Sequence, residues 1–399
     1  MATLLLCIIY LAFISLGLPD SILGSAWPVM SLDFDVPLHF AGLVSAAITI
    51  GTVVSSLFSN RVVRRLGTGP VTLISVAMTA AGLLGFSLMP HFYWFFIFAL
   101  PLGLGGGAID TVLNNYVALH YKARHMNWLH CFWGVGAGLS PVIMAGFIAL
   151  GNFWREGYRT IAAVQWGVVI ILAATLFLWK KVAANREEAL PDGPPKGLSK
   201  AGPWYYVFAI PGVKAALLGF FSYVSLESIL NVWGPTYLVM RKGVGAETAA
   251  GWLSLYFVSL TAGRFISGLV SGLLSNKALI FVSCGFAALG IVFLALPLPL
   301  YFSFAAFILL GVGYAPIFPS MLHETPRRFG AAVSQNIMGY QFAASYIGAS
   351  LTPIFAGLLI ARVSMTLYPF LLVVFLALLV GSSAYIVMLE KQKKLRATV

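Results

Sequence analysis

Asp20-Ser21-Ile22-Leu23, followed by Trp27-Pro28, and Glu227-Ser228-Ile229-Leu230, followed by Trp233 and Pro235, are one pattern written twice, 207 residues apart. Two more pairs keep nearly that distance. Gly51 with Ser55-Ser56-Leu57-Phe58-Ser59 returns as Gly263 with Ser267-Gly268-Leu269-Val270-Ser271. Gly136-Ala137-Gly138-Leu139-Ser140-Pro141 returns as Gly348-Ala349-Ser350-Leu351-Thr352-Pro353, and both pairs are 212 residues apart. One short match is chance, but three in order at a nearly constant offset describe a tandem duplication.

The surroundings of these patterns set the class. The chain has 399 residues, of which 60% are hydrophobic and 9% charged, with a mean hydropathy of +0.93. Soluble domains are about 45–50% apolar and about 25% charged, so a soluble enzyme is excluded. Apolar runs bounded by charge or by Pro and Gly predict helices at 2–32, 38–62, 69–90, 92–121, 126–150, 158–180, 211–240, 248–275, 277–297, 299–322, 331–361 and 366–389, each near the ~20 residues a bilayer crossing needs. The expected fold is an all-α membrane protein with twelve transmembrane helices in two six-helix bundles. The first run has no charged n-region and carries Pro19 and Asp20 within it, so it does not read as a cleavable signal.

A net charge of +12 does not indicate a nucleic-acid partner, because the basic residues sit at the ends of apolar runs rather than on a soluble module. With the N-terminus inside, 18 of the 24 Lys and Arg fall on the cytoplasmic side. The expectation is a multi-pass inner or plasma membrane protein, monomeric, with the lipid bilayer as its surroundings and both termini cytoplasmic. Domains are read as an N-terminal bundle at 1–181, a cytoplasmic linker at 182–203 rich in Pro and charge, a C-terminal bundle at 204–390 and a cytoplasmic tail at 391–399. Same-orientation repeats of this kind are a known transporter plan, with substrate held near the midplane.

Asp20, Asp110 and Glu227 are the acids read as deep within predicted spans. An intramembrane carboxyl offsets its charge by pairing or by taking up a proton, and the second is what reversible proton carriage uses. Arg264 and Lys214 are the nearby bases, and both are placed toward the cytoplasmic end. Aligning Leu102-Gly103-Leu104-Gly105 with Leu310-Gly311-Val312-Gly313 sets Phe318 against Asp110, so the span-four acid has no counterpart in the second half. Asn114 lies one helical turn after Asp110, while Asn115 is rotated by about 100°. His130 with Trp133, and Asn231 with Trp233, could offer hydrogen bonds and an aromatic platform to a hydroxylated ring. Asn336 and Gln341 are further polar candidates, with Gln335, Tyr340, Tyr256 and Tyr314 behind them. The competing readings are interhelical hydrogen bonding for the amides and interfacial belts for the tryptophans.

Other features carry no chemistry. Gly103-Leu104-Gly105-Gly106-Gly107-Ala108 approaches a dinucleotide fingerprint but has no strand before it, and close helix packing explains it. Cys7, Cys131 and Cys284 read as small core thiols. There is no catalytic Ser/His/Asp arrangement, no metal-ligand spacing and no sign of a cofactor.

At four places the chain resembles the fucose permease-like group of the major facilitator superfamily: Leu18-Pro19-Asp20-Ser21-Ile22-Leu23, Asp110-Thr111-Val112-Leu113-Asn114-Asn115, Asn127-Trp128-Leu129-His130-Cys131-Phe132 and Pro316-Ile317-Phe318-Pro319. These are similar to that group's Asn-Asp-Ile-Leu, Glu-Thr-Ala-Ala-Asn, Asn-Leu-Ala-Gln-Ser-Phe and Tyr-Pro-Thr-Ile-Phe segments. Asp110 stands for its glutamate, Pro19 for its asparagine and His130 for its glutamine. Asn60-Arg61-Val62-Val63-Arg64-Arg65-Leu66-Gly67 is similar to the superfamily's loop motif but has no acid. The resemblance implies proton-coupled symport of a sugar or similar small polar solute by alternating access. Asp110 would be the proton carrier, with Asp20 and Glu227 as further coupling sites. Asp20, Asn114, Asn115, His130, Trp133, Asn231, Trp233, Asn336 and Gln341 would form the substrate set, and Arg61, Arg64, Arg65 and Arg264 would gate. The alternative is a proton-driven exporter of amphipathic compounds, favoured by the 14% aromatic content. Span five, with Gly134, Gly136, Gly138 and Pro141, lacks the Gly-Pro adjacency of the antiporter signature. Sodium coupling stays open beside H⁺.

Overall fold

The structure is a computed structural model that describes residues 2–37, 40–151, 153–179 and 204–398; the expected linker 182–203 lies outside the described residues. Helices are α1 (Ala2–Asp33), α2 (Phe40–Leu66), α3 (Thr68–Leu88), α4 (Trp94–His120), α5 (Ala123–Ala149), α6 (Trp154–Ala174), α7 (Val213–Lys242), α8 (Ala246–Val270), α9 (Asn276–Ala295), α10 (Leu300–Tyr314), α11 (Ile317–Phe329), α12 (Ala331–Arg362) and α13 (Tyr368–Thr398). Among the described residues, twelve helices are long and apolar enough to cross a membrane, with α10 and α11 together forming one of them. The chain separates into two compact units: Met1–His120 with Trp128–Ser199, and Tyr121–Asn127 with Lys200–Val399. The connection after α4 and the first turn of α5 therefore group with the second unit.

The duplication is visible in how backbones cross. A Cβ on Gly136 would lie 2.1 Å from the Ile14 carbonyl oxygen, and one on Gly348 would lie 2.8 Å from that of Phe221. Both pairs are related by the offsets seen in the sequence. A Cβ on Gly103 would lie 2.1 Å from Ile48 O in the first unit, as one on Gly311 would lie 2.6 Å from Tyr256 O in the second. Only a residue without a side chain lets two helices approach so closely, which assigns the glycine run of α4 to packing.

Three departures from the predicted spans have physical causes. The tenth span is broken rather than continuous: Pro316 has no backbone N–H and caps α11, after α10 ends at Tyr314. The Tyr314 carbonyl accepts a hydrogen bond from the Tyr223 hydroxyl at 3.2 Å, which serves a backbone group at the break. Helix α6 starts at Trp154 rather than 158, because Arg155 finds partners in Asp33 at 3.0 Å and Met89 O at 2.8 Å. Helix α13 runs on to Thr398 through the stretch read as a tail. The cysteines also differ from expectation, since Cys284 is buried, Cys131 half-buried and Cys7 exposed. An apolar side chain on the outside of a membrane helix meets hydrocarbon, so exposure costs it nothing.

Candidate functional site

In the first unit, helices α1 and α5 meet at Gly17 and Gly136. A Cβ at Gly17 would lie 2.2 Å from the Trp133 carbonyl oxygen. This approach sets Asp20, one turn further along α1, beside the Trp133 side chain, whose indole N–H donates to Asp20 Oδ2 at 2.7 Å. The next residue, Ser21, donates to Ala137 O at 2.6 Å. Asp20 is exposed although it lies midway along an apolar helix.

A second polar chain joins α4 to α5. Asn114 Nδ2 donates to Asp110 Oδ1 and to the Asp110 carbonyl, both at 2.8 Å. That leaves Asn114 Oδ1 to accept from His130 Nε2 at 3.0 Å, so the ring proton facing Asn114 sits on Nε2. Asn114 is buried, His130 nearly so, and the edge of the Phe13 ring packs on the imidazole at 5.8 Å. Asn115 is also buried, but the 100° step turns it away from this chain. The structure therefore assembles Asp110, Asn114 and His130 into one group, and Asp20 with Trp133 into another.

The second unit treats its candidates differently. Glu227 has Arg264 as its electrostatic partner and the Tyr223 hydroxyl beside it. Arg264 is almost fully buried on α8. The Trp233 indole donates to Pro353 O at 2.9 Å, and its ring fills the space above Gly357. Asn231 is half-buried, and among the described residues its Oδ1 has no hydrogen-bond partner. Gln341 is buried against Thr325 at 3.1 Å, whereas Asn336 is half-buried. At the position equivalent to Asp110, Phe318 packs on Phe220, Tyr223 and Phe342 with ring centroids 5.2, 5.6 and 5.7 Å away.

The profile of the Major Facilitator Superfamily matches residues 9–351. The chain belongs to this superfamily. Its relatives include the uncharacterized MFS-type transporter YfkL of Bacillus subtilis, 24% identical over 88% of this chain and 87% of that protein. The hexuronate transporter of the same organism is 22% identical over 70% of this chain and 69% of its own. Among solved structures, the proton:xylose symporter XylE superposes with a TM-score of 0.77 at 12% identity, covering 95% and 94% of the two chains. The E. coli fucose:proton symporter FucP gives 0.73 at 15%, covering 96% and 98%. At such identities the superpositions speak for the fold.

In this MFS transporter the basic residues at the C-terminal end of α2 are at the surface: Arg61, Arg64 and Arg65 are all exposed, and Arg61 sits over the Phe58 ring at 5.3 Å. The sequence reading missed a charged cluster in the second unit. Glu324 is buried on α11 and accepts from Asn276 Nδ2 at 2.7 Å. Arg328 lies 3.6 Å from Glu324 and 3.0 Å from Glu390, and Glu390 also pairs with Lys277. His323 Nδ1 accepts from the same Asn276 amide at 2.9 Å, so its Nε2 donates to Tyr121 O at 3.0 Å. Ending the tenth span at 322 hid Glu324 from the count of buried acids. The one available signal was the four-residue spacing of Glu324 and Arg328.

Proposed function

We propose that this MFS transporter carries a sugar or similar small polar solute together with a proton by alternating access, in the inner or plasma membrane with both termini cytoplasmic. The observation that carries this reading is the pair of carboxylates in the first unit, each held by a neutral donor: Asp110 by the Asn114 amide and Asp20 by the Trp133 indole. A neutral N–H donates to a carboxylate and to a carboxylic acid alike, so gain or loss of a proton leaves the scaffold in place. Glu227, with Arg264 among its electrostatic neighbours, ranks third as a coupling site.

Asp20 is the substrate contact in this reading. An exposed carboxylate in mid-helix is tolerated where it meets polar solute or water rather than hydrocarbon. Its oxygens suit sugar hydroxyl donors, and the Trp133 ring beside it offers an apolar face to a pyranose. His130 and Asn114 would complete the hydroxyl recognition within the first unit. The names of the similar proteins, a xylose symporter, a fucose symporter and a hexuronate transporter, are in keeping with such solutes.

The test separates loading from coupling. A symporter returns empty only after releasing its proton, whereas solute-for-solute exchange needs only the loaded carrier to reorient. In proteoliposomes, Asp110→Asn is expected to retain counterflow and to lose uphill uptake driven by a pH gradient. Accumulation that still follows the imposed gradient would remove Asp110 from the coupling role and pass it to Asp20 or Glu227. A thermal-shift panel of neutral sugars, polyols, hexuronates and amphipathic cations would identify the solute, and stabilisation by the cations alone would favour the exporter.

A further inference from the structure

We propose that a cleft at the C-terminal end of α7, in the second unit, binds the phosphate-bearing headgroup of an anionic phospholipid. The cleft has a volume of about 520 Å³ and lies where the end of α7 meets the turn between α9 and α10 and the start of α13. Arg241 and Lys242 line it, and none of its lining residues is acidic. Lys242 Nζ donates to Leu296 O at 2.7 Å, which aims the ammonium into the cleft and leaves two N–H donors unused. Neither cation is paired with a carboxylate from the cleft's lining, whereas Arg155 and Arg159 are paired with Asp33 and Glu156.

The apolar part of the lining selects the class of anion. Leu296, Leu300 and Phe370 line the same cleft and are 46%, 47% and 62% exposed. A soluble phosphate would satisfy the cations and leave these three large apolar side chains bare. A phospholipid satisfies both, with its phosphodiester on Arg241 and Lys242 and its glycerol and first acyl carbons on the leucines and Phe370. Depth agrees with this. The cleft sits at the end of α9, whose 20 residues rise about 30 Å, the thickness of the hydrocarbon core. Its far end holds the Lys277–Glu390 pair, so the cleft lies at headgroup level on the other edge of the span.

Thermal unfolding and native mass spectrometry of the full chain in detergent, titrated with short-chain phosphatidylglycerol, phosphatidylcholine or inorganic phosphate, test the proposal. Phosphatidylglycerol is expected to stabilise the protein and to remain bound as one retained lipid, with inorganic phosphate at equal concentration having no effect. Arg241→Gln with Lys242→Gln is expected to weaken phosphatidylglycerol binding about 30-fold, and either substitution alone about 5-fold. Should the double variant not fold, the single variants carry the test. The charge-conserving exchange Arg241→Lys with Lys242→Arg keeps binding. Equal phosphatidylglycerol affinity in wild type and charge-free variants overturns the proposal. So does equal stabilisation by inorganic phosphate, which would make the cleft a soluble-anion site, or by phosphatidylcholine, which would make it a general acyl-chain groove.

Discussion

Where the first unit carries Asp110, Asn114 and His130, the second carries Phe318, Leu322 and Phe342 at the repeat-related positions. The first set is a hydrogen-bonded chain and the second is packed through aromatic rings. Toward the helix ends the relation inverts. Glu324 and Arg328 of the second unit correspond to Tyr116 and His120 of the first, and these stack on each other at 4.2 Å, with Trp179 5.2 Å from Tyr116. The crossings of the backbone are shared, so the duplication fixed the scaffold and left the side chains to diverge. One half placed its polar chemistry in mid-helix, where a solute or proton would use it. The other, besides Glu227 and Arg264 within its spans, placed a charged cluster at a helix end, where it ties α9, α11 and α13 together.

The largest effect is expected from breaking the charged end. Glu324→Ala removes a buried carboxylate and leaves Arg328, whose side chain is 8% exposed, with one partner fewer, a change that costs about 3–5 kcal/mol in comparable buried pairs. A large fall in the unfolding midpoint in detergent would show it, and a midpoint within a degree of wild type would show that the cluster is not structural. An intermediate effect should distinguish the two halves at one repeat position. Gly136→Ala puts a methyl 2.1 Å from a backbone oxygen and Gly348→Ala puts one 2.8 Å from its equivalent, so the first should lose about 2–3 kcal/mol and the second less. The reverse order would mean that α1 and α5 part more easily than α7 and α12.

The smallest effect is expected where the first half is rewritten as the second. His130→Phe copies Phe342 and leaves Asn114 Oδ1 without its donor, at a cost of about 1 kcal/mol or less within a membrane protein. Solute binding, measured by isothermal titration, should fall far more than stability does. A variant that binds as wild type would take His130 off the recognition surface and leave the polar chain a packing feature.

Asp20, Asp110, Asn114 and His130 were legible as candidates because polar groups stand out against hydrocarbon, where each must be satisfied. Their grouping was not. The step from Asp110 to Asn114 follows from helical spacing, but the partnership with His130 or of Asp20 with Trp133 requires two helices to meet, and no local pattern states which. Glu324 was missed for a related reason: a charge near the end of an apolar run reads as solvated until a broken helix brings it inside. Pro316 sits at the break, yet how far α11 continues past it depends on the partners that Asn276, Lys277 and Glu390 supply from other helices.

The sequence by itself determined the class, the number of spans and the duplication, because hydrophobic run length and repeat offset are properties of the chain read in order. The tertiary structure alone decided which polar groups share a hydrogen bond, which acid keeps a cation beside it and where a cleft pairs two basic residues with an apolar wall. Those outcomes rest on contacts of a few ångströms between helices far apart in sequence, as where the close approach of Gly17 and Gly136 sets Asp20 beside Trp133.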